Sequence, residues 1–235
     1  MRVIERYADY VTTRKQATLL PKYLGLFTVT MGSEKTCFVV MNNVFAAYLD
    51  IHQRFDLKGS TAGRKASQKE RQKKQAVYKD MDLVGSHTQL LLGKEAIDVL
   101  MQDADWLASA GVMDYSLLVG IHVKQSSQPS HPLLTNSEVI PEEQLALYTA
   151  GSANRKKAHP GVVYVETDAM VAYIGIIDIL TEYGLFKHFE TFFTGTLACR
   201  NVSAQPPKKY ARRFKKFLLD NIRTNDEVVV TGLAP

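Results

Sequence analysis

The stretch RFDLKGSTAGR, residues 54–64, places an acid and a lysine at the end of a predicted β-strand, directly before Gly59 and two hydroxyl side chains. Residues two apart on a strand point to the same face, so Asp56 and Lys58 would share one surface. Next to a glycine turn, this pair could meet a phosphate group and a metal ion. The alternative is an exposed surface ion pair, which is common and individually weak.

The composition bounds the class of protein. The chain has 235 residues, of which 46% are hydrophobic, enough for one large domain or two small ones. We expect a soluble cytosolic protein, because the apolar runs are too short to span a bilayer and the N-terminal residues lack the apolar stretch of a signal peptide. Its two cysteines, Cys37 and Cys199, lack metal-ligand spacing, which argues against a disulfide framework or a zinc site.

Positive charge is concentrated in two segments, within a net charge of +5. The first basic cluster is Lys58, Arg64, Lys65, Lys69, Arg71, Lys73, Lys74 and Lys79, and the second basic cluster is Lys208, Lys209, Arg212, Arg213, Lys215 and Lys216. Each cluster could be an ordinary solvated face. If both lie on one side of the molecule, they could instead attract nucleic acid or an anionic lipid surface.

The first part of the chain has the pattern of a helix followed by a sheet. Apolar residues at helical spacing predict a helix over residues 1–17. β-Rich runs over 24–30, 37–41 and 48–57, separated by turn residues, predict an antiparallel meander.

The second part alternates a helix, strands and an insertion. A core-facing helix is predicted from Gly93, as its N-cap, to Gly111, as a left-handed C-cap. A short apolar strand follows in MDYSLLVGIHV, residues 113–123. Residues 124–161 are rich in Ser, Pro, Asn and Gly and are predicted to be a variable, disordered insertion. Further strands are predicted over 162–166 and 171–180, and a basic helix over 208–223.

Two more acids lie in apolar surroundings. Asp114 stands at the start of an apolar strand, and Asp178 lies between Ile177 and Ile179. A carboxylate in such a setting needs a partner, so Asp114 could cap a turn and Asp178 could pair with a basic core residue. Together with Asp56, they instead suggest a centre in which one acid orients a hydroxyl and another holds magnesium, as in kinase phosphoryl transfer.

At this level of detail the sequence resembles the phosphatidylinositol phosphate kinases. The resemblance is carried by six segments in the order of that family, and it leaves out only the insertion. The segments are TLLPKYLGLFTV, VVMNNVF, IHQRFDLKGSTAGRKAS, VMDYSLLVGIH, IGIIDILTEYGLFKHFETFF and SAQPPKKYARRFKKFL.

The resemblance implies an α+β, kinase-like fold, in which an antiparallel sheet lobe joins a C-terminal lobe and ATP binds in the cleft. Residues 1–235 would form the catalytic core of such a kinase. VVMNNVF would be the hinge, with backbone groups near the adenine and two side chains packed beside it. The residues expected at ATP are Val40, Met41, Asn42, Val44, Phe45 and Asp178.

The resemblance also implies roles for the charged residues. Asp114 would be the catalytic-loop acid and Asp178 the magnesium-binding acid. Lys58 would neutralise charge developing on the transferred phosphate. Asp56 would hold Lys58 or face the lipid headgroup, and Arg64 would grip a headgroup phosphate.

The segment after Asp178 resembles the family's activation segment, which reads the lipid. Its aromatic residues, at near-helical spacing with Lys187 and His188 between them, are expected to lie in a lipid interface. Lys208 and Lys209 would extend this basic face toward the substrate. The aromatic residues are Tyr183, Phe186, Phe189, Phe192 and Phe193.

The implied activity is lipid phosphorylation with ATP and Mg²⁺ by a cytoplasmic protein that binds anionic membranes peripherally. Phosphatidylinositol 4-phosphate is the expected substrate and the 4,5-bisphosphate the expected product. No nucleic-acid partner is expected, and a homodimer is compatible with the resemblance. The alternatives are a phosphatidylinositol 5-phosphate 4-kinase and a catalytically silent protein that binds anionic lipid as a scaffold.

One departure from the family's pattern qualifies the expected activity. The family's glycine-rich phosphate loop and its ATP-pairing lysine would precede Leu24, and these residues contain no counterpart. We therefore expect ATP binding and turnover to need upstream residues or a completing partner.

Overall fold

The computed structural model describes residues 2–14, 17–46, 49–86, 90–124, 163–166, 170–181, 206–224 and 229–231. The helices are α1 (Arg2–Thr13), α2 (Gln68–Arg71), α3 (Asp80–Gly85), α4 (Lys94–Ala110) and α5 (Pro207–Asn221). The strands are β1 (Tyr23–Met31), β2 (Glu34–Met41), β3 (Gln53–Leu57), β4 (Val77–Lys79), β5 (Leu90–Leu92), β6 (Ser116–Val123), β7 (Val163–Glu166), β8 (Met170–Ile177), β9 (Ile222–Thr224) and β10 (Val229–Thr231).

The strands form three sheets within these ranges. β1 and β2 make an antiparallel hairpin, and β5 pairs with β9 in parallel. The main sheet has six strands in the order β10-β7-β8-β6-β3-β4, with a parallel pair only between β3 and β4. The α+β class expected of the family is therefore confirmed.

The predicted antiparallel meander is wrong in one respect. β3 does not continue the β1–β2 hairpin but lies between β4 and β6 in the main sheet. The physical reason is burial: Phe55 and Leu57 of β3 are 2% and 0% exposed and belong to the main core, whereas the apolar residues of the hairpin stay open to solvent. The strand is also shorter than predicted, because it begins at Gln53.

The predicted N-terminal helix is confirmed as α1, which packs on α4. Tyr10 of α1 stacks on Trp106 with ring centroids 4.6 Å apart. Tyr10 also donates a hydrogen bond of 2.8 Å to Oδ1 of Asp103, a fully buried residue of α4. The same carboxylate accepts hydrogen bonds from the Thr18 hydroxyl at 2.8 Å and the Leu19 N–H at 2.6 Å. Asp103 thus ties α1 and the segment before β1 to the core.

The long helix α4 forms as predicted. Gly93 is its N-cap, and Gly111 is its C-cap in the left-handed conformation, with φ of 79°. Its buried stripe belongs to the main core, and α4 packs against α5. The predicted stripe residues that are fully buried are Ala96, Leu100, Ala104 and Leu107.

The remaining predicted elements are confirmed with small shifts. The strand predicted over 171–180 is β8 and ends at Ile177, and the basic helix predicted over 208–223 is α5. Most of the predicted insertion, residues 125–161, and most of the aromatic activation segment, residues 182–205, lie outside the described residues. Their predicted properties stay predictions.

Candidate active site

Three neighbouring strands end or begin at one edge of the main sheet. In the antiparallel register, Leu57 at the end of β3 lies opposite Leu117, and Ser116 at the start of β6 lies opposite Ile177 at the end of β8. The residues that follow or precede these positions must therefore meet at the same edge. These include Lys58, Asp114 and Asp178, which the sequence places far apart.

Lys58 and Asp114 form an ion pair at this edge. Lys58 Nζ lies 2.9 Å from Asp114 Oδ1, and the two side chains are 17% and 41% exposed. Asp56 pairs with Arg64, whose Nη2 lies 2.9 Å from Asp56 Oδ1, so it does not hold Lys58 through an ion pair. The alternative expectation, that Asp56 faces the lipid headgroup, stays a prediction.

Asp114 and Asp178 share an unusual backbone conformation. Both have left-handed φ values, 63° and 64°. Asp178 was expected within a strand, but it follows β8 because the chain turns sharply after Ile177. Aspartate tolerates this region better than most residues, and such conformations persist where the surroundings enforce them, often at functional sites.

The carboxyl of Asp178 is electrostatically perturbed. Desolvation by the surrounding protein raises its pKa, nearby Lys58 opposes this rise, and the carboxylates of Asp56 and Asp114 add to it. The residue nevertheless keeps access to solvent. A reachable carboxylate beside other acids is a plausible cation ligand.

Asp178 fits the role of a protein ligand to a magnesium ion that is held mainly by its substrate. In the described part of the chain, no group of three or more His, Cys, Asp or Glu side chains is arranged to hold a metal by itself. Magnesium usually takes only one or two protein carboxylates and completes its shell with phosphate oxygens and water. The donor set at this edge therefore matches a magnesium–nucleotide complex better than a structural metal site.

Arg64 binds the residues on either side of the loop that carries Lys58, namely Asp56 and Asp80. Its Nη2 donates to the Asp56 backbone carbonyl at 2.6 Å as well as to the Asp56 side chain, and its Nε donates to Asp80 Oδ2 at 2.7 Å. These bonds join the start of the loop to its end. The predicted role of Arg64 in gripping a headgroup phosphate stays a prediction.

Helix α5 supports both sides of the Lys58–Asp114 pair. The Tyr210 hydroxyl donates to the backbone carbonyl of Tyr115, the residue after Asp114. The Tyr115 ring packs edge-on against the ring of Tyr210, with centroids 4.8 Å apart. On the other side, Arg213 Nη2 lies 3.5 Å from the carbonyl oxygen of Lys58. The sequence interpretation missed these contacts, because a basic amphipathic helix does not reveal which loop it covers.

The first half of the predicted hinge is the end of β2, within the β1–β2 hairpin. Val40 and Met41 end β2 and are exposed. The backbone N–H of Asn42 donates to the Lys22 carbonyl at 3.1 Å, and the Lys22 N–H donates to Asn42 Oδ1 at 2.6 Å. These bonds hold the end of β2 to the start of β1, and the nucleotide roles of the hinge residues stay predictions.

The second half of the predicted hinge packs on the main sheet. Val44 is buried against β8, where a Cβ added at Gly175 would lie 2.8 Å from Val44 Cγ2. The Phe45 ring covers Gly120 of β6 so closely that a Cβ at that position would overlap it. These small residues let the segment lie flat on the two strands that lead to Asp114 and Asp178.

The two basic clusters meet at the active-site edge through the contact between Arg213 and Lys58. Lys208 and Lys209 lie in the first turn of α5 and are exposed, as is Arg212. Other members are engaged within the protein, including Lys215 with Asp105. Across the described ranges, no helix is long and apolar enough to cross a bilayer.

Comparison with known proteins identifies the family. The sequence profile described as Phosphatidylinositol-4-phosphate 5-Kinase matches residues 1–221. The chain is 30% identical to phosphatidylinositol 5-phosphate 4-kinase type-2 gamma of Danio rerio, over 92% of the chain and 60% of the relative. It is 35% identical to phosphatidylinositol 4-phosphate 5-kinase type-1 beta of Rattus norvegicus, over 86% of the chain and 42% of the relative.

The relatives include both kinds of kinase that the motifs suggested. A third one, phosphatidylinositol 5-phosphate 4-kinase type-2 beta of Rattus norvegicus, is 31% identical over 94% of the chain and 61% of its own length. The chain thus spans between 42% and 61% of the length of these relatives. With a profile match over nearly all of its length and the three converging charged residues, this chain belongs to the phosphatidylinositol phosphate kinase family.

Proposed function

We propose that the protein transfers the γ-phosphate of ATP to an inositol hydroxyl of a phosphatidylinositol monophosphate. The observation that carries this proposal is the convergence of Lys58, Asp114 and Asp178 at one edge of the main sheet, with a 2.9 Å ion pair between the first two. Phosphoryl transfer needs little covalent help from a protein and depends on positioning and electrostatic stabilisation. The three charged residues at this edge of the sheet are suited to both positioning and electrostatic stabilisation.

Asp114 is suited to orient the attacking hydroxyl and accept its proton. Its side chain is 41% exposed, so a substrate can reach it, whereas the side chain of its partner Lys58 is only 17% exposed. The positive charge of Lys58 lies beside the Asp114 carboxylate, with 2.9 Å between Nζ and Oδ1. The same charge would stabilise negative charge that develops on the transferred group.

Asp178 is suited to hold the cation that accompanies ATP. Bound magnesium would neutralise charge on the nucleotide phosphates. Asp178 presents an accessible carboxylate for it, next to Asp114 but on a different strand end. Holding the acceptor hydroxyl and the phosphates with separate carboxylates lets one site position both reactants.

For the substrate, we propose phosphatidylinositol 4-phosphate, which would give the 4,5-bisphosphate. The segments IHQRFDLKGSTAGR and VVMNNVF look somewhat more like those of the 4-phosphate 5-kinases, and the identity of 35% to a type-1 relative, against 30–31% to type-2 relatives, supports this choice. The substrate would lie in an anionic membrane surface that the exposed basic residues of α5 contact peripherally. A homodimer stays a prediction.

The experiment uses the purified whole protein, with any residues that precede Met1 or any completing partner, together with ATP, magnesium and vesicles that contain either the 4-phosphate or the 5-phosphate lipid. Separation of the bisphosphate products by position identifies the phosphorylated hydroxyl. We expect turnover of the 4-phosphate lipid, with loss of turnover in Asp114→Asn. Faster turnover of the 5-phosphate lipid would reverse the substrate choice, and phosphorylation of neither lipid would contradict the proposed activity.

A further inference from the structure

Asp80, the first residue of α3, lies beneath the loop that carries Lys58. It is fully buried, and Oδ1 accepts the backbone N–H of Lys58 at 3.0 Å and that of Ser60 at 3.1 Å. Oδ2 accepts Arg64 Nε at 2.7 Å. The loop from Lys58 to Arg64 therefore makes three hydrogen bonds to this one carboxylate.

The hydrogen bonds to Asp80 begin where the β3–β6 strand pairing ends. The β3–β6 ladder ends with the pairing of Leu57 and Leu117, so the next N–H groups along the chain have no place in that ladder. A buried N–H without an acceptor is costly, and Asp80 supplies an acceptor for two of them. Bonds from N–H groups to an ionised carboxylate are also among the stronger hydrogen bonds in proteins.

We propose that Asp80 is a positioning residue for the kinase reaction: it fixes the backbone from which Lys58 reaches Asp114. Asp80 itself touches no reactant, because both of its oxygens are engaged with the loop. This role rests on the proposed function, since it matters for catalysis only if Lys58 stabilises the transferred phosphate. Neither the motif pattern nor the comparison with relatives singles out Asp80.

Asp82 provides a matched control on the same short helix. It is 8% exposed, its Oδ2 accepts the backbone N–H groups of Ala66 at 2.7 Å and Lys79 at 3.0 Å, and its Oδ1 pairs with Arg71. Asp82 is therefore buried like Asp80, though slightly less so, and makes the same kinds of bonds. It differs in that it accepts the N–H groups of Ala66 and Lys79, whereas Asp80 accepts those of Lys58 and Ser60.

The test compares Asp80→Asn with Asp82→Asn in the full-length protein. An amide has one acceptor oxygen, so Asn at position 80 cannot serve both the Lys58 side and Arg64. We expect kcat for lipid phosphorylation to fall about 100-fold in Asp80→Asn with little change in KM for ATP, because small displacements of a reacting group have effects of that size. We expect Asp82→Asn to lose comparable thermal stability but to keep kcat within about threefold of wild type.

A second measurement does not depend on activity. Amide hydrogen exchange followed by NMR should accelerate at Lys58 and Ser60 in Asp80→Asn, and at Ala66 and Lys79 in Asp82→Asn. If the wild-type protein phosphorylates no lipid, the proposed function fails while the exchange data still report whether Asp80 holds the loop.

Two results would overturn the positioning role. One is unchanged exchange at Lys58 and Ser60 in a folded Asp80→Asn protein. The other is an equal loss of kcat in the two variants, because a general loss of stability would then explain both.

Discussion

Gly59 lies directly against the backbone of Phe214. A Cβ atom added at Gly59 would stand 2.5 Å from Phe214 Cα, and the glycine itself has a left-handed φ of 68°. The residue after Lys58 is thus held by helix α5 with no room for a side chain. Contact between backbones this close requires glycine.

This contact predicts the effect of Gly59→Ala. Strain at positive φ and overpacking against α5 should together destabilise the protein by about 2–4 kcal/mol and displace Lys58, lowering kcat. Gly63→Ala is the control, because Gly63 has φ of 69° but no atoms within 4 Å of an added Cβ. Gly63→Ala should lose only about 1–2 kcal/mol in denaturant unfolding. Equal losses would show that the Phe214 contact is unimportant.

Asp178→Asn should abolish lipid phosphorylation without weakening the fold. Because the folded state raises the pKa of Asp178, it binds the proton more tightly than the unfolded chain, and the ionised carboxylate lowers stability above that raised pKa. Asn removes the charge and accepts the left-handed conformation.

The pH dependence of melting checks this prediction. At neutral pH without nucleotide, Tm of Asp178→Asn should equal or exceed that of wild type. The difference should shrink as pH falls through the raised pKa and vanish once Asp178 is protonated in both folded and unfolded states. Wild-type turnover in the variant would remove Asp178 from the proposed site.

The Lys58–Asp114 pair should behave as a unit in kinetics. Lys58→Met and Asp114→Asn should each reduce kcat by at least about 100-fold, and the double variant should lose much less than the product of the two effects. Steady-state lipid kinase assays of all four proteins complete the cycle. Multiplicative losses would indicate that the two residues act independently.

Membrane binding should depend on the first turn of α5. Replacing Lys208 and Lys209 with Glu should reduce sedimentation with anionic vesicles, and binding by the wild type should weaken as salt rises. The charge-matched control is Lys35→Glu with Lys94→Glu, two residues outside both basic clusters. The hypothesis fails if the two double variants bind alike or if neutral vesicles bind as well as anionic ones.

Asp103→Ala should be among the most destabilising substitutions in the described core. It removes the acceptor shared by Tyr10, Thr18 and Leu19 and leaves three donors without it, a loss of about 3 kcal/mol in urea unfolding. Asp98→Ala on an exposed position of the same helix should change stability by less than about 0.5 kcal/mol. Similar midpoints for both variants would contradict the role of Asp103.

The sequence predicts the elements better than it predicts their partners. Helical spacing identifies α1 and α4, and the caps at Gly93 and Gly111 follow from local backbone chemistry. The placement of β3 could not be derived in the same way, because its pattern of Phe55 and Leu57 shows that one face is buried but not which strand lies beside it. Strand partners depend on non-local packing.

In the candidate site, too, some residues could be predicted from the sequence and others could not. Lys58, Asp114 and Asp178 could be predicted because a charge in apolar surroundings is conspicuous and their motifs resemble those of a family. Asp80 could not, because in YKDMDLVG it stands in a polar context and its role arises only when the chain folds the loop over it. Residues that act through backbone groups leave little trace in sequence.

Helix α5 contacts the chain next to both members of the Lys58–Asp114 pair. Tyr210 is bonded to the residue after Asp114, and Phe214, one turn later, abuts the residue after Lys58. Because both contacts come from one helix, a displacement of α5 as a rigid body would shift the acid and the lysine together and preserve their 2.9 Å separation.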